Sequence, residues 1–137
     1  MGDKSRIVVI DSDKSLVWGL VELLKIEGYD ALGMTNGYAA LEQLCMNPPD
    51  LVICDGDMLL TANSVVLDAI QADADLARIP YVMLTRATSM ATYRQTQPAE
   101  YLRKPFYPED LLNMIRSALS RRSMAEPELY GADETAG

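Results

Sequence analysis

LVICDGDMLL, residues 51–60, sets four apolar residues before Asp55 and Asp57, which flank one glycine, and then turns apolar again. Four consecutive apolar residues are too few for a buried helix and read as a strand covered on both faces, the habit of a parallel sheet. A carboxylate ending such a strand is delivered to the sheet's carboxyl edge, where open α/β folds keep their sites. The flanking sequence repeats the pattern. RIVVI at 6–10 runs into Asp11, the weaker DALGM at 30–34 follows, Pro80–Leu84 runs into Thr85, and Ala99–Arg103 runs into Lys104. Helical stretches separate these runs. Leu16, Leu20, Leu23, Leu24 and Glu27 form a stripe closed by Gly28, and Gly37–Met46 is stopped by Asn47-Pro48-Pro49. A third helix is expected at Ala62–Ala72 and a short fourth at Thr88–Thr96, limited by Pro98. A fifth starts at Pro108-Glu109-Asp110, with proline at its first position and acids against the dipole, and runs to about Arg121. Alternation of this kind with right-handed crossovers predicts an α/β fold: a doubly wound five-stranded parallel sheet of flavodoxin-like order 2-1-3-4-5, helices on both faces.

Composition narrows the chemistry. The 137 residues make one domain, expected over 1–121, and 122–137, acidic and without period, read as a disordered tail or linker stub. Twelve basic against twenty acidic residues give a net charge of −8, which argues against direct nucleic-acid binding and against an anionic membrane surface. No segment has the apolar length of a membrane span, and the N-terminus MGDKSRIVVID lacks the apolar core of a signal peptide, so a cytoplasmic location is expected. The absence of histidine excludes imidazole metal sites and histidine-based catalysis. Cys45 and Cys54 sit in apolar runs and read as core, Trp18 as a boundary residue of the first helix, and Arg116, Arg121 and Arg122 as compensation for the last helix dipole.

Four polar groups, Asp11, Asp55, Thr85 and Lys104, thus follow strand ends on one edge. Two neighbouring carboxylates stay ionised together only with a cation between them, and hard oxygen donors suit Mg2+. Lys104 adds a second positive charge. A pocket of this make-up suits a phosphoryl group, with Asp55 as nucleophile and Lys104 and the Thr85 hydroxyl as donors to its oxygens.

The segments VVIDSD (8–13), DLVICDGDM (50–58), IPYVMLT (79–85) and YLRKPF (101–106) resemble the receiver domains of two-component response regulators, the chemotaxis-regulator type included. The resemblance implies that Asp55 is the phosphoacceptor and Asp11 a member of the acidic, metal-binding pocket, with Asp57 joining it through its carbonyl. It further implies that Thr85 and Tyr101 are the switch pair, that Lys104 pairs with phosphate, and that the bond before Pro105 is cis. The implied partners are a sensor histidine kinase or phosphotransfer protein and, downstream, a protein docking on the fourth helix, fifth strand and fifth helix. Such a chain is a signalling domain, an enzyme at most toward its own phosphorylation and dephosphorylation. Several positions depart from the family pattern. Ser12 stands where a second acid is usual, leaving a hydroxyl at a metal position and a weaker hold on Mg2+. Leu59 and Asn63 replace a proline and a glycine. Arg86 follows the switch threonine and leaves two roles open: obstructing Asp55, or pairing with phosphate through its fork. These departures make a degenerate receiver that binds partners without phosphorylation the alternative reading. Asp-x-Asp after an apolar strand also matches haloacid-dehalogenase phosphatases, although that family carries the motif on its first strand.

Overall fold

The computed structural model describes residues 4–56, 64–86 and 99–136, and of the helical or strand side chains all but those at 64–67, 99 and 123–136. Strands β1 (Arg6–Ile10), β2 (Asp30–Met34), β3 (Leu51–Asp55), β4 (Tyr81–Thr85) and β5 (Ala99–Arg103) lie parallel in the order β2-β1-β3-β4-β5. The described helices are α1 (Lys14–Ile26), α2 (Gly37–Met46), α3 (Ser64–Ala72), the one-turn α4 (Ala74–Ala77) and α5 (Pro108–Ala136). This is the doubly wound sheet expected from the alternation of apolar runs.

The two sides of β1 and β3 explain why those strands are apolar without interruption. Ile7, Val9, Leu51 and Ile53 face one layer, where Val17, Leu20, Leu24, Leu111 and Ile115 of α1 and α5 meet them. Val8, Ile10, Val52 and Cys54 face the other, against Ala40, Leu44, Ile70, Leu76 and Ile79. With both faces covered, an alternating polar residue would be buried, so none occurs. Cys45 does not join this core as composition suggested; it is exposed, because one helical step of about 100° past Leu44 carries it off the stripe of Gly37, Ala40 and Leu44.

Local signals end the helices where the sequence places them. Asp13 caps α1 by accepting the Leu16 N–H at 3.2 Å, and Gly28, at φ 97°, takes the left-handed turn that closes it. Asn36 caps α2 through the Ala39 N–H at 3.0 Å. The turn α4 was not anticipated; Asp73 nucleates it by accepting from Asp75 and Leu76 at 2.9 and 3.1 Å. β4 starts at Tyr81, after Pro80, since proline has no N–H for the ladder.

The last helix differs from expectation. It continues past Arg121 to Ala136, where a disordered tail was expected, although the run includes Pro127 and Gly131, both poor residues for a helix interior. Arg116, Arg121 and Arg122 therefore sit mid-helix and pair elsewhere than with its C-terminus: Arg116 with Glu27 at 3.5 Å, Arg121 with Glu100 at 2.7 Å, Arg122 with the Asp50 carbonyl at 2.7 Å. Arg6 takes the Asn47 and Pro48 carbonyls of the same loop at 3.1 and 3.2 Å. The helix expected at 88–96 and the readings on Leu59, Asn63 and Pro98 lie outside the described residues.

Close packing of α1 on β2 depends on Gly33. A Cβ there would overlap the Val17 Cγ1 methyl and lie 3.0 Å from Val21 Cγ2, both on stiff β-branched residues of the core. Gly33→Ala should cost about 1–3 kcal/mol in urea unfolding. Gly19→Ala, with nothing within 4 Å of its Cβ, should be neutral or stabilising. Equal midpoints for the two variants would refute this packing.

Candidate functional site

Strand register decides what meets at the carboxyl edge. Ile10 pairs with Cys54, so the residues that follow, Asp11 and Asp55, are neighbours; Asp55 pairs with Leu84 and Thr85 with Arg103, bringing Thr85 and Lys104 one step beyond. The Lys104 N–H donates to the Thr85 carbonyl at 2.7 Å, and Asp11 N–H to the Met34 carbonyl at 3.2 Å, so the backbone on both flanks is tied to its neighbour. The Lys104–Pro105 peptide bond is cis.

Lys104 Nζ donates to Asp11 Oδ2 at 2.8 Å and lies 3.9 Å from Asp55 Oδ2. The other Asp11 oxygen, Oδ1, accepts the Asp13 N–H at 2.9 Å. Asp11, Asp55 and Thr85 are buried, at 1, 8 and 0% exposure, so a lysine ammonium faces two carboxylates in a largely dry cleft. Water screens such charges little, which makes their mutual geometry energetically decisive.

The remaining sequence candidates divide. Ser12, which follows Asp11 in the chain, is exposed, and Asp13, also exposed, is committed to capping α1. Arg86 is exposed directly after Thr85. Tyr101 pairs with Met83 in register and packs, half-buried, against the core cluster of Val8, Ile10 and Val52, on the sheet face shared by Met83 and Thr85. Asp57 lies outside the described residues. Among the described residues no three His, Cys, Asp or Glu side chains gather. The two carboxylates and the Ser12 hydroxyl are nonetheless hard oxygen donors of the kind Mg2+ takes, so the donor set fits the ion in chemistry while carrying only two formal negative charges.

Behind Asp55, Cys54 points its thiol to Met83 Sδ at 3.2 Å in full burial, a contact between residues 29 positions apart that no local pattern announces. Burial, and after it the charges of Asp55 and Asp11, pushes this thiol far above its ordinary value. Burial does the same to Tyr81, whose hydroxyl donates to the Leu76 carbonyl at 2.8 Å. Both groups keep their protons when folded and lose them more readily when unfolded. Their stabilising contribution is therefore complete below the unfolded values, about pH 8.5–10, and is lost progressively above them, by up to about 1.4 kcal/mol per pH unit for each group. Urea unfolding at rising alkaline pH should show this decline, and Cys54→Ala should flatten its onset. A slope unchanged by that substitution would contradict the assignment.

Comparisons with known proteins agree with the geometry. A family model described as the response regulator receiver domain matches residues 7–116. Over 128 residues the chain is 34% identical to the DNA-binding response regulator MtrA of Mycolicibacterium paratuberculosis, covering 90% of this chain and 55% of that protein. The chain thus spans about half the length of such curated relatives. It is 28% identical over 116 residues to the circadian input-output histidine kinase CikA of Synechocystis, covering 82% of this chain and 15% of that one. In fold it is similar to the chemotaxis protein CheY4 of Vibrio cholerae, with a TM-score of 0.75 at 23% identity over 85% of this chain and 99% of that chain.

Proposed function

Because the chain belongs to the response regulator receiver domain family, we propose that Asp55 accepts a phosphoryl group from a sensor histidine kinase or phosphotransfer protein and that the added charge switches a protein-binding surface. A receiver is a signalling domain of two-component systems rather than a conventional enzyme. The observation that carries the proposal is Lys104 set between two buried carboxylates, 2.8 Å from one and 3.9 Å from the other, at the end of the central strand.

In this reading an Asp55 carboxylate oxygen attacks the phosphorus of a phosphohistidine in line. The O–P bond forms as the P–N bond breaks, and the donor imidazole leaves with the electron pair. Lys104 pairs with a phosphoryl oxygen, taking up negative charge that would otherwise crowd Asp11. Asp11, Asp55 and Ser12, with the Asp57 carbonyl that the family resemblance implies, would hold Mg2+, which when bound would supply further neutralisation of negative charge on the phosphoryl group. The added charge of about −1.5 to −2 draws the Thr85 hydroxyl, and Tyr101, on the same sheet face, repacks in the space it leaves. Output then passes through residues 88–96, β5 and α5 to a protein partner. The acidic chain disfavours nucleic acid as the direct partner. No described helix is long and apolar enough to cross a membrane.

Incubation with Mg2+ and acetyl phosphate should add one phosphoryl mass to the intact chain, and Asp55→Asn should abolish the addition. Equal uptake by Asp55→Asn would overturn the assignment. No uptake by either protein would favour the phosphorylation-independent interaction module, to which the low charge of the donor set already lends weight. The phosphatase reading is not retained, since Asp55 ends the third strand, at the centre of the sheet, and the whole matched length follows the receiver pattern.

A further inference from the structure

We propose that the buried sulfur pair of Cys54 and Met83 is a brake on Tyr101: the Cys54 thiol pins the Met83 thioether in the place that limits how far the Tyr101 ring moves inward, which makes both of them positioning residues for the response to phosphorylation. For that response the inference rests on the phosphoacceptor reading of Asp55; the resting position of Tyr101 is tested without it.

Three observations carry it. Strand register sets one row across the sheet, since Cys54 pairs with Met83 and Met83 with Tyr101. Met83 thus stands between the strand that ends in Asp55 and the strand that carries Tyr101. All three side chains belong to the same layer, and Thr85, two residues past Met83 on β4, shares its face. Within the row the Cys54 thiol donates to Met83 Sδ at 3.2 Å, and both residues are fully buried while Tyr101 is half-buried. Thiol and thioether are a weak donor and a weak acceptor, but in a dry interior neither has water to turn to.

Methionine is unbranched and rotates freely about its side-chain bonds, so it fills or vacates space as its neighbours demand. Pinned by Cys54, Met83 loses that freedom. A Tyr101 ring moving inward after Thr85 is drawn to the phosphoryl group must push Met83 off the thiol, so the sulfur contact opposes the inward state. Cys54 precedes the phosphoacceptor by one residue yet points to the opposite face of β3 from Ile53, and it therefore acts on Tyr101 without touching the reacting groups.

The test labels the intact chain with fluorotyrosine and reads the fluorine resonance of Tyr101, identified by its absence in Tyr101→Phe. The displacement of that resonance between light and heavy water reports how exposed the ring is. With no phosphodonor present, Cys54→Ala, which removes the donor and opens room for Met83 to retract, should cut the displacement to about half the wild-type value as the inward state gains population. Cys54→Ser, which keeps a donor of similar size, should match the wild type, as should Val52→Ala, a deletion in the same buried layer outside the row. A wild-type displacement in Cys54→Ala would overturn the inference. So would Cys54→Ser or Val52→Ala moving as far as Cys54→Ala, since volume or general loosening would then account for the change. Should circular dichroism show that Cys54→Ala does not fold, Cys54→Val, suited to a parallel strand and without a donor, decides on the same reading. Addition of Mg2+ and acetyl phosphate keeps the two failures apart. Met83→Leu, stiffer and without the sulfur acceptor, should take up phosphoryl by intact mass as the wild type does while its Tyr101 resonance moves less. Equal movement in the two proteins strikes the inference, whereas no uptake by the wild type strikes the phosphoacceptor reading and leaves the comparison without phosphodonor to decide the inference.

Discussion

Lys104→Met should lower the unfolding free energy by about 3 kcal/mol, because it leaves Asp11 and Asp55 facing each other in a low-dielectric cleft without their shared counter-charge. The side chains concerned are 1, 12 and 10% exposed for Asp11, Asp55 and Lys104, so solvent screens little of the loss. Arg121→Met is the matched control. Its partner Glu100 is as near, at 2.7 Å, but the two side chains are 59 and 45% exposed, and an ion pair in that setting contributes well under about 1 kcal/mol. Millimolar Mg2+ should restore part of the stability of Lys104→Met and little of anything to Arg121→Met, since only the first exposes a site for the ion. The measurement is the urea midpoint with and without Mg2+. Similar midpoints for the two variants would mean that the lysine is not the charge that holds the acids together. The same Lys104→Met protein should retain less phosphoryl on Asp55, having lost the cation that pairs with it.

Ile53→Ala should be of comparable or larger effect, about 2–5 kcal/mol, for a different reason. Ile53 is fully buried in the central strand and packs in the cluster that joins α1 and α5 to the sheet. Neighbours on the rigid sheet cannot collapse into the space it vacates, so the cost includes a cavity as well as lost transfer energy. In a domain whose total stability is about 5–15 kcal/mol, that is a large share. Ile53 is also two residues from Asp55 on the same strand, so a loosened sheet centre should weaken phosphoryl uptake below the unfolding transition. A variant as stable as the wild type would show that this face of β3 is less tightly packed than described.

Much of the architecture was legible because its signals are local. Uninterrupted apolar runs marked β1, β3 and β4 as two-sided strands, Asp13, Asn36 and Gly28 carry the chemistry of helix ends, and Pro48-Pro49 cannot continue a helix. The strand-end positions of Asp11, Asp55, Thr85 and Lys104 followed from the same counting. What counting missed depends on neighbours distant in the chain. Cys45 and Cys54 occupy similar apolar runs, yet one helical step exposes the first while two covering layers bury the second. The run beyond Arg122 is compositionally a tail, with Pro127 and Gly131 in it, yet α5 continues through it to Ala136.

The sequence by itself determined the strands, the crossovers and therefore which polar residues reach one edge, since apolar periodicity and capping are properties of adjacent residues. Only the tertiary structure decided how those residues are shared: that Lys104 grips Asp11 more closely than Asp55, and that Asp13 serves a helix rather than the pocket. Hydrogen bonds and ion pairs among residues 93 positions apart are settled by packing, and no local pattern encodes which of two carboxylates a lysine will reach first.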